Sequence, residues 1–374
     1  MSRACTAISS AVTAALLLLG GSSLAMEPQK ESEAQQTRAS EGSELYETLQ
    51  RVTHYRNFRG LKIPTQVIGQ LARAQADAAV AALSAQAEQG NGDANIALVR
   101  VQHWCSSMMS SRQADPDAQI EKLSNQLPED RLQRVATVLQ AEAEFRNRAR
   151  ASCAKARFDY RAIEARLRAA ADSGHAASAT ELAQFVRDPA QKQALLEAAA
   201  EKSYAPAIYA KATNLLVAVQ RGQTTENVSA IRELLKQAGR SIPKAKLDLA
   251  NCMAVGCDGH PADALTARAF GIDAARDGEP TAFLSMARMP WGARLPREEL
   301  LAWQYFGDRL NEAGCLGDSY LSSSIAFAQT IALLERAQEP EGLEKARKQA
   351  QELWQQYGPR AMRENGCTKQ INSN

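Results

Sequence analysis

A spacing of small residues recurs along this chain and limits what it can fold into. An Ala is followed by Gly or Ser three residues on, by a second Ala four further, and by a large apolar residue four further again. The pattern reads Ala275, Gly278, Ala282, Met286 and again Ala238, Ser241, Ala245, Leu249. It returns as Ala87, Gly90, Ala94, Leu98 and, with Ser178 for the second Ala, as Ala171, Gly174, Ser178, Leu182. A poorer copy is Ala200, Ser203, Ala207, with Lys211 in the last place. From Ser203 the central residues step to Ser241, Gly278 and Gly314, at spacings of 38, 37 and 36. Near-equal steps in that range mark stacked helix pairs.

The spacing has a geometric reading. Two antiparallel helices meet at a short turn. Gly at its centre takes a positive φ and ends the first helix. Ala on each side lets the two backbones cross closely, and residues four apart share one helix face. The segment before each turn is amphipathic, as in ALTARAFGIDAARDG and LLAWQYFGDRLNEAG. No stretch shows the alternating period of a strand. The expected fold is an all-α, right-handed α/α solenoid of about seven to nine antiparallel helix pairs. Gly90, Gly174, Ser203, Ser241, Gly278 and Gly314 should lie in the turns inside pairs.

AARDGEPTAFLSMA and AAADSGHAASATELA resemble Sel-one-like repeats, a branch of the tetratricopeptide-like superfamily with a slightly longer unit. The resemblance covers roughly residues 80–320 and is most specific at Ala275, Gly278 and Ala282. The family's second glycine-rich turn is mostly missing; GARLP and VGCDGHP stand in its place. The step from Gly174 to Ser203 is only 29, and the Gly314 unit carries Asn311, Asp318 and Ser322 at the flanking positions. A degenerate last unit fits a cap with one polar outer face. The resemblance implies a protein-binding adaptor, often secreted or periplasmic in bacteria, and no enzymatic activity.

Residues 1–26 read as a signal peptide. Arg3 is their one charge, AVTAALLLLGG is the apolar run, and Ser23, Leu24 and Ala25 place small residues where signal peptidase cuts. Cleavage is expected after Ala25 or Met26, leaving a periplasmic or secreted protein with no membrane insertion. The net charge of +2 loses only Arg3 with that segment. So balanced a chain lacks the overall basic excess that a nucleic-acid partner requires. Six cysteines remain: Cys105, Cys153, Cys252, Cys257, Cys315 and Cys367. An even number in an exported chain reads as disulfides, with 15 possible connectivities. Pairing neighbours is simplest in a solenoid, giving Cys105–Cys153, Cys252–Cys257 and Cys315–Cys367. The last would staple the tail to the degenerate unit.

Residues 27–44 are polar without apolar periodicity and read as a disordered leader. Helical units are expected over 45–160, with Leu45, Leu49, Val52, Tyr55 and Phe58 at helical spacing in the first. A helix pair over 64–88 and 94–112 surrounds Gly90. The repeats fill 161–325, and 326–374 holds capping helices and a tail, broken at Glu339-Pro340.

Few residues point to chemistry. Ser241 and Lys244 match the S-x-x-K of penicillin-binding proteins, but the companion motifs S-D-N and K-T-G are absent. Ser241 also occupies a repeat turn, and Pro243 suits the first turn of a helix. Cys252, Cys257 and His260 lack a nearby fourth ligand for zinc. No catalytic, metal or cofactor site is assigned. Trp291, Trp303, Tyr305 and Phe306 crowd one unit. The first three are candidate partner-binding anchors, with Trp291, in MPWGARLP, the best placed for exposure; packing between Ala-rich helices is the other reading. The expected function is a scaffold for another envelope protein. The alternatives are an envelope enzyme or enzyme-modulator acting on peptidoglycan, and a structural spacer.

Overall fold

The computed structural model describes residues 28–110, 115–223, 229–257 and 259–367. The signal-peptide segment lies outside them. Helix α1 spans Pro28–Asn57 and α2 Thr65–Ala72. Seven pairs follow among the described residues. They are α3 (Ala76–Glu88) with α4 (Gly92–Ser110), and α5 (Pro116–Ser124) with α6 (Glu129–Lys155). Then come α7 (Tyr160–Asp172) with α8 (Ala176–Phe185), and α9 (Pro189–Glu201) with α10 (Ala205–Gln220). The last are α11 (Ala230–Gly239) with α12 (Pro243–Val255), α13 (Ala264–Arg276) with α14 (Pro280–Arg288), and α15 (Arg297–Glu312) with α16 (Tyr320–Arg336). The long α17, Pro340–Asn365, ends the order. The described residues hold no strand. The fold is an all-α solenoid of stacked antiparallel helix pairs.

All six expected turn residues lie between the helices of a pair. At Gly278, φ is +76°. Its N–H donates to the Ala275 carbonyl at 2.9 Å, and the Glu279 N–H to Ala274 at 3.0 Å. These two bonds satisfy carbonyls that the end of α13 leaves open. A Cβ at Gly278 would also lie 2.4 Å from Asn365 Nδ2 and 3.0 Å from Ala361 Cβ on α17. The Ser203 turn makes the same bonds, from the Ser203 N–H to Ala200 at 2.8 Å and from the Tyr204 N–H to Ala199 at 3.3 Å, at a Ser203 φ of +57° and without glycine. A side chain in that region costs about 1 kcal/mol. Ser203→Gly is therefore expected to stabilise the protein by about 1 kcal/mol in urea unfolding; an unchanged or lower midpoint would contradict this. Ser241 departs from the expected geometry. Its N–H and that of Ile242 both reach Ala238, at 3.1 and 3.0 Å, and Arg240 keeps a right-handed φ of −62°. That turn closes without a left-handed residue.

The small residues bring helices together as expected. Ala94, Ser178, Ala207, Ala245 and Ala282 are all fully buried. The second helices of pairs pack on one another: α4 on α8, α8 on α10, α12 on α14 and α14 on α16. First helices of successive pairs make no contact of that extent among the described residues. The second helices thus form the tighter, inner layer.

Three expectations need correction. Residues 28–44 belong to α1 rather than to a disordered leader. Their Glu, Gln, Ala and Lys favour helix without needing an apolar stripe. The segment 64–88 is two helices, broken at Ala74 with φ +62°. The boundary drawn at 325 falls inside α16.

The largest departure is at the ends of the array, which meet. Arg56 at the end of α1 donates to the carbonyls of Leu316 (3.1 Å) and Cys315 (2.6 Å) and to Asn365 Oδ1 (2.9 Å). Thr53 Oγ1 accepts the Asp318 N–H at 2.9 Å. On α6, Arg131 grips Asp308 with both Nη atoms, and Arg134 pairs with Glu312 at 2.8 Å. Tyr46, Leu49, Phe145 and Tyr320 share one apolar core. The Gly314 unit is therefore no free end with a polar outer face. Its Asn311 is buried and donates to Ser324 Oγ at 2.7 Å.

Cys105–Cys153 joins α4 to α6, and Cys252–Cys257 closes the end of α12, with Cα separations of 5.4 and 4.9 Å. Cys315–Cys367, at 5.3 Å, sits where α1, α16 and α17 converge. It stiffens this closure rather than compensating for a missing neighbour. Closing a loop of 52 residues typically contributes about 2–4 kcal/mol. Cys315→Ser and Cys367→Ser should lower stability equally, and the double variant should be no worse. Unequal single variants would show that one cysteine does something besides bonding the other.

Candidate functional site

The closure creates a cleft of about 700 Å³. Its walls are α1, α4, α6, α8 and the start of α16, so residues from both ends of the array face one space. Trp104 of α4 forms part of the floor. It sits edge-on to His54 (5.2 Å between centroids) and to Phe145 (6.2 Å), next to the Cys105–Cys153 bond. Tyr46, Leu49, Met108, Val138 and Leu321 extend the apolar surface.

The polar lining is balanced: Arg56, Arg100 and Arg146 against Glu142, Glu181 and Asp318. Arg100 holds the buried Glu181 through Nη2 at 3.1 Å and also donates to the Asn57 carbonyl. Arg146 pairs with Glu142 at 2.6 Å. Arg56 is committed to the closure, and burial pulls its pKa down from the ordinary arginine value. Gln50 donates to the Tyr46 hydroxyl at 3.1 Å, and burial pushes the Tyr46 phenol well above its usual pKa. Each guanidinium is thus engaged by a carboxylate or carbonyl. His103 stacks at a tilt on Phe185, 5.6 Å between centroids. The arrangement offers donors, acceptors and aromatic surface with no excess charge. Such a surface suits a polypeptide segment, which carries both donors and acceptors.

None of the three expected aromatic anchors lines this cleft. Trp291 is fully buried, not exposed. Its ring covers Gly271 of α13, where a Cβ would lie 2.5 Å from it, and its Nε1 donates to Asn251 at 3.0 Å. The Pro- and Gly-flanked loop folds inward because a flat indole fills the gap that Gly271 leaves. Trp303 is buried too, edge-on to Phe306 and stacked on Tyr357 of α17. Tyr305 is half-buried and donates to Glu335 at 2.5 Å. Burial and the Glu335 carboxylate raise its phenol to about 12. These rings pack α15 against its neighbours. Lys244 pairs with Asp248, which also accepts from Tyr209. Cys252 and Cys257 are bonded to each other.

The sequence reading assigns no role in a site to Trp104, Arg56 or Asn365. The helical spacing of Leu45, Leu49 and Val52 marks α1 as amphipathic. It does not say which surface receives that face.

No family model matches the chain, and no curated protein matches it. Among solved structures it is similar to a protective antigen present in uropathogenic Escherichia coli strains displaying an SLR fold. The two are 15% identical with a TM-score of 0.34, over 77% of this chain and 74% of that one. SLR denotes the Sel-one-like repeat, the unit that the segment around Gly278 resembles.

Proposed function

We propose that the protein is an exported scaffold of the bacterial envelope that holds a segment of a partner protein in the cleft between α1, α4, α6, α8 and α16. The observation that carries this reading is the cleft's lining, apolar and polar together, neutral, with each guanidinium already engaged. A peptide brings its own donors, acceptors and apolar side chains to such a surface. The three disulfides fit an oxidising compartment. No helix among the described residues is long and apolar enough to cross a membrane.

The test is a photo-crosslinking residue placed at Ser107, on the cleft wall, and at Glu88, outside it. In cells, Ser107 should yield an adduct of discrete mass that Glu88 does not. Adducts of equal yield at both positions, or none at Ser107, would remove the cleft as the binding site.

A further inference from the structure

One departure from the repeat pattern has no role in the fold. Four positions after each turn residue the pattern places a small side chain. Ala94, Ser178, Ala207, Ala245 and Ala282 fill that place and are fully buried. In the Gly314 unit it holds Asp318, which is exposed. The local backbone explains the change of direction. Leu316 and Tyr320 on either side are buried, and the short 3-10 turn Gly317–Ser319 swings the residue between them away from the helix crossing. The Asp318 N–H donates to Thr53 Oγ1 of α1 at 2.9 Å, a bond open to any residue but proline. The meeting of the ends therefore fixes the backbone at Asp318 and makes no use of its carboxylate.

That carboxylate lines the cleft. The other charges there are engaged. Arg100 holds Glu181 at 3.1 Å, and Arg146 holds Glu142 at 2.6 Å. Arg56 directs its N–H groups at Asn365 and at the carbonyls of Cys315 and Leu316. The charge of Asp318 acts on Arg56 from a distance without an ion pair between them. Among the described residues, Asp318 is the charged member of the lining whose side chain has neither an ion pair nor a hydrogen bond. The lining is balanced by count. Its cations face partners within the protein, while one anion faces the occupant.

We propose that Asp318 selects a polypeptide segment carrying a Lys or Arg side chain into the cleft. This rests on the cleft being the binding site. A segment lying over Asp318 takes the carboxylate out of water, which is unfavourable unless a cation meets it. A basic side chain supplies that cation and gains a charge-assisted hydrogen bond. An acidic segment is disfavoured twice, since it faces Asp318 and finds each guanidinium engaged. A free amine would meet Asp318 but leave Trp104, Leu49 and the rest of the apolar floor uncovered.

The experiment selects binders from a pool of randomised short peptides on the full chain, with its disulfides intact. Each selected peptide is located by its crosslink to the photo-reactive residue at Ser107, on the cleft wall. Peptides that crosslink there should be enriched in Lys or Arg and depleted in Asp and Glu. Asp318→Asn should weaken them about ten- to a hundred-fold and flatten the dependence of binding on salt. Asp318→Glu should retain most of the affinity, and selection on Asp318→Lys should enrich Asp and Glu instead. All three variants alter an exposed side chain, so their melting curves should match the parent's. Peptides that crosslink at Ser107 without a basic preference, or that bind Asp318→Asn as tightly as the parent, would overturn the role of Asp318 and leave the cleft as a binding site. The absence of any crosslink at Ser107 would remove both.

Discussion

Trp291→Ala is expected to destabilise the protein by about 3–5 kcal/mol, the range for deleting a fully buried large aromatic side chain. The indole is completely enclosed, contributes to the core of the last pairs, and satisfies Asn251. Its removal leaves a cavity over Gly271 and an amide oxygen without its donor. Gly271→Ala alone should also destabilise, since its methyl would run into the ring. In the double variant that methyl enters the vacated space. The two losses should then sum to less than the parts, a coupling that urea unfolding of all four proteins reads directly. Additive losses would mean that the ring and Gly271 are not in the contact described.

The second large effect depends on pH. His54 of α1 is 1% exposed, lies between Phe58 and Trp104, and its Nε2 has no hydrogen-bond partner. Burial lowers its pKa from 6.5 to about 3, so the fold holds the ring neutral. The unfolded chain protonates near 6.5 and the folded chain does not. The stability that this neutral ring confers is complete above 6.5 and is lost as pH falls towards 3. The slope should approach about 1.4 kcal/mol per pH unit, on the order of 5 kcal/mol in total. His54→Phe keeps a ring and removes the titration. Between pH 6.5 and 5, where carboxylates contribute little, its stability should be nearly flat while the parent's declines. Parallel slopes would show that His54 is not the group responsible.

The repeat turns were legible because their causes are local. A left-handed residue, small neighbours and an apolar residue four positions on all lie within a dozen residues of one another. The cysteine pairs were legible for a related reason, since neighbouring units touch. The Ser241 turn shows the limit: the same small residue closes a turn by a different set of bonds. Trp291 marks a second limit. Pro290 and Gly292 signal an irregular loop, yet a loop's surface position does not fix where its largest ring points. The meeting of the ends was not legible at all. It rests on Arg56, Thr53, Arg131 and Arg134 and on an apolar core shared by Tyr46, Leu49, Phe145 and Tyr320, each reaching partners far along the chain and without a motif.

That meeting sets the order in which the molecule can be completed as it is made. Helix α1 is synthesised well before the partners it closes on, with Arg56 and Asn365 separated by 309 positions. At about 5–20 residues per second, roughly 15–60 s pass before the final partner exists. Through that interval Leu49 and Val52, destined for the interior, have no complete surface to enter. A nascent chain that has not yet reached Gly314, Gly317 and Tyr320 displays them to chaperones and proteases, and a chain that has passed these residues withdraws them. The closure thus ties the burial of this face of α1 to the arrival of the turn between α15 and α16.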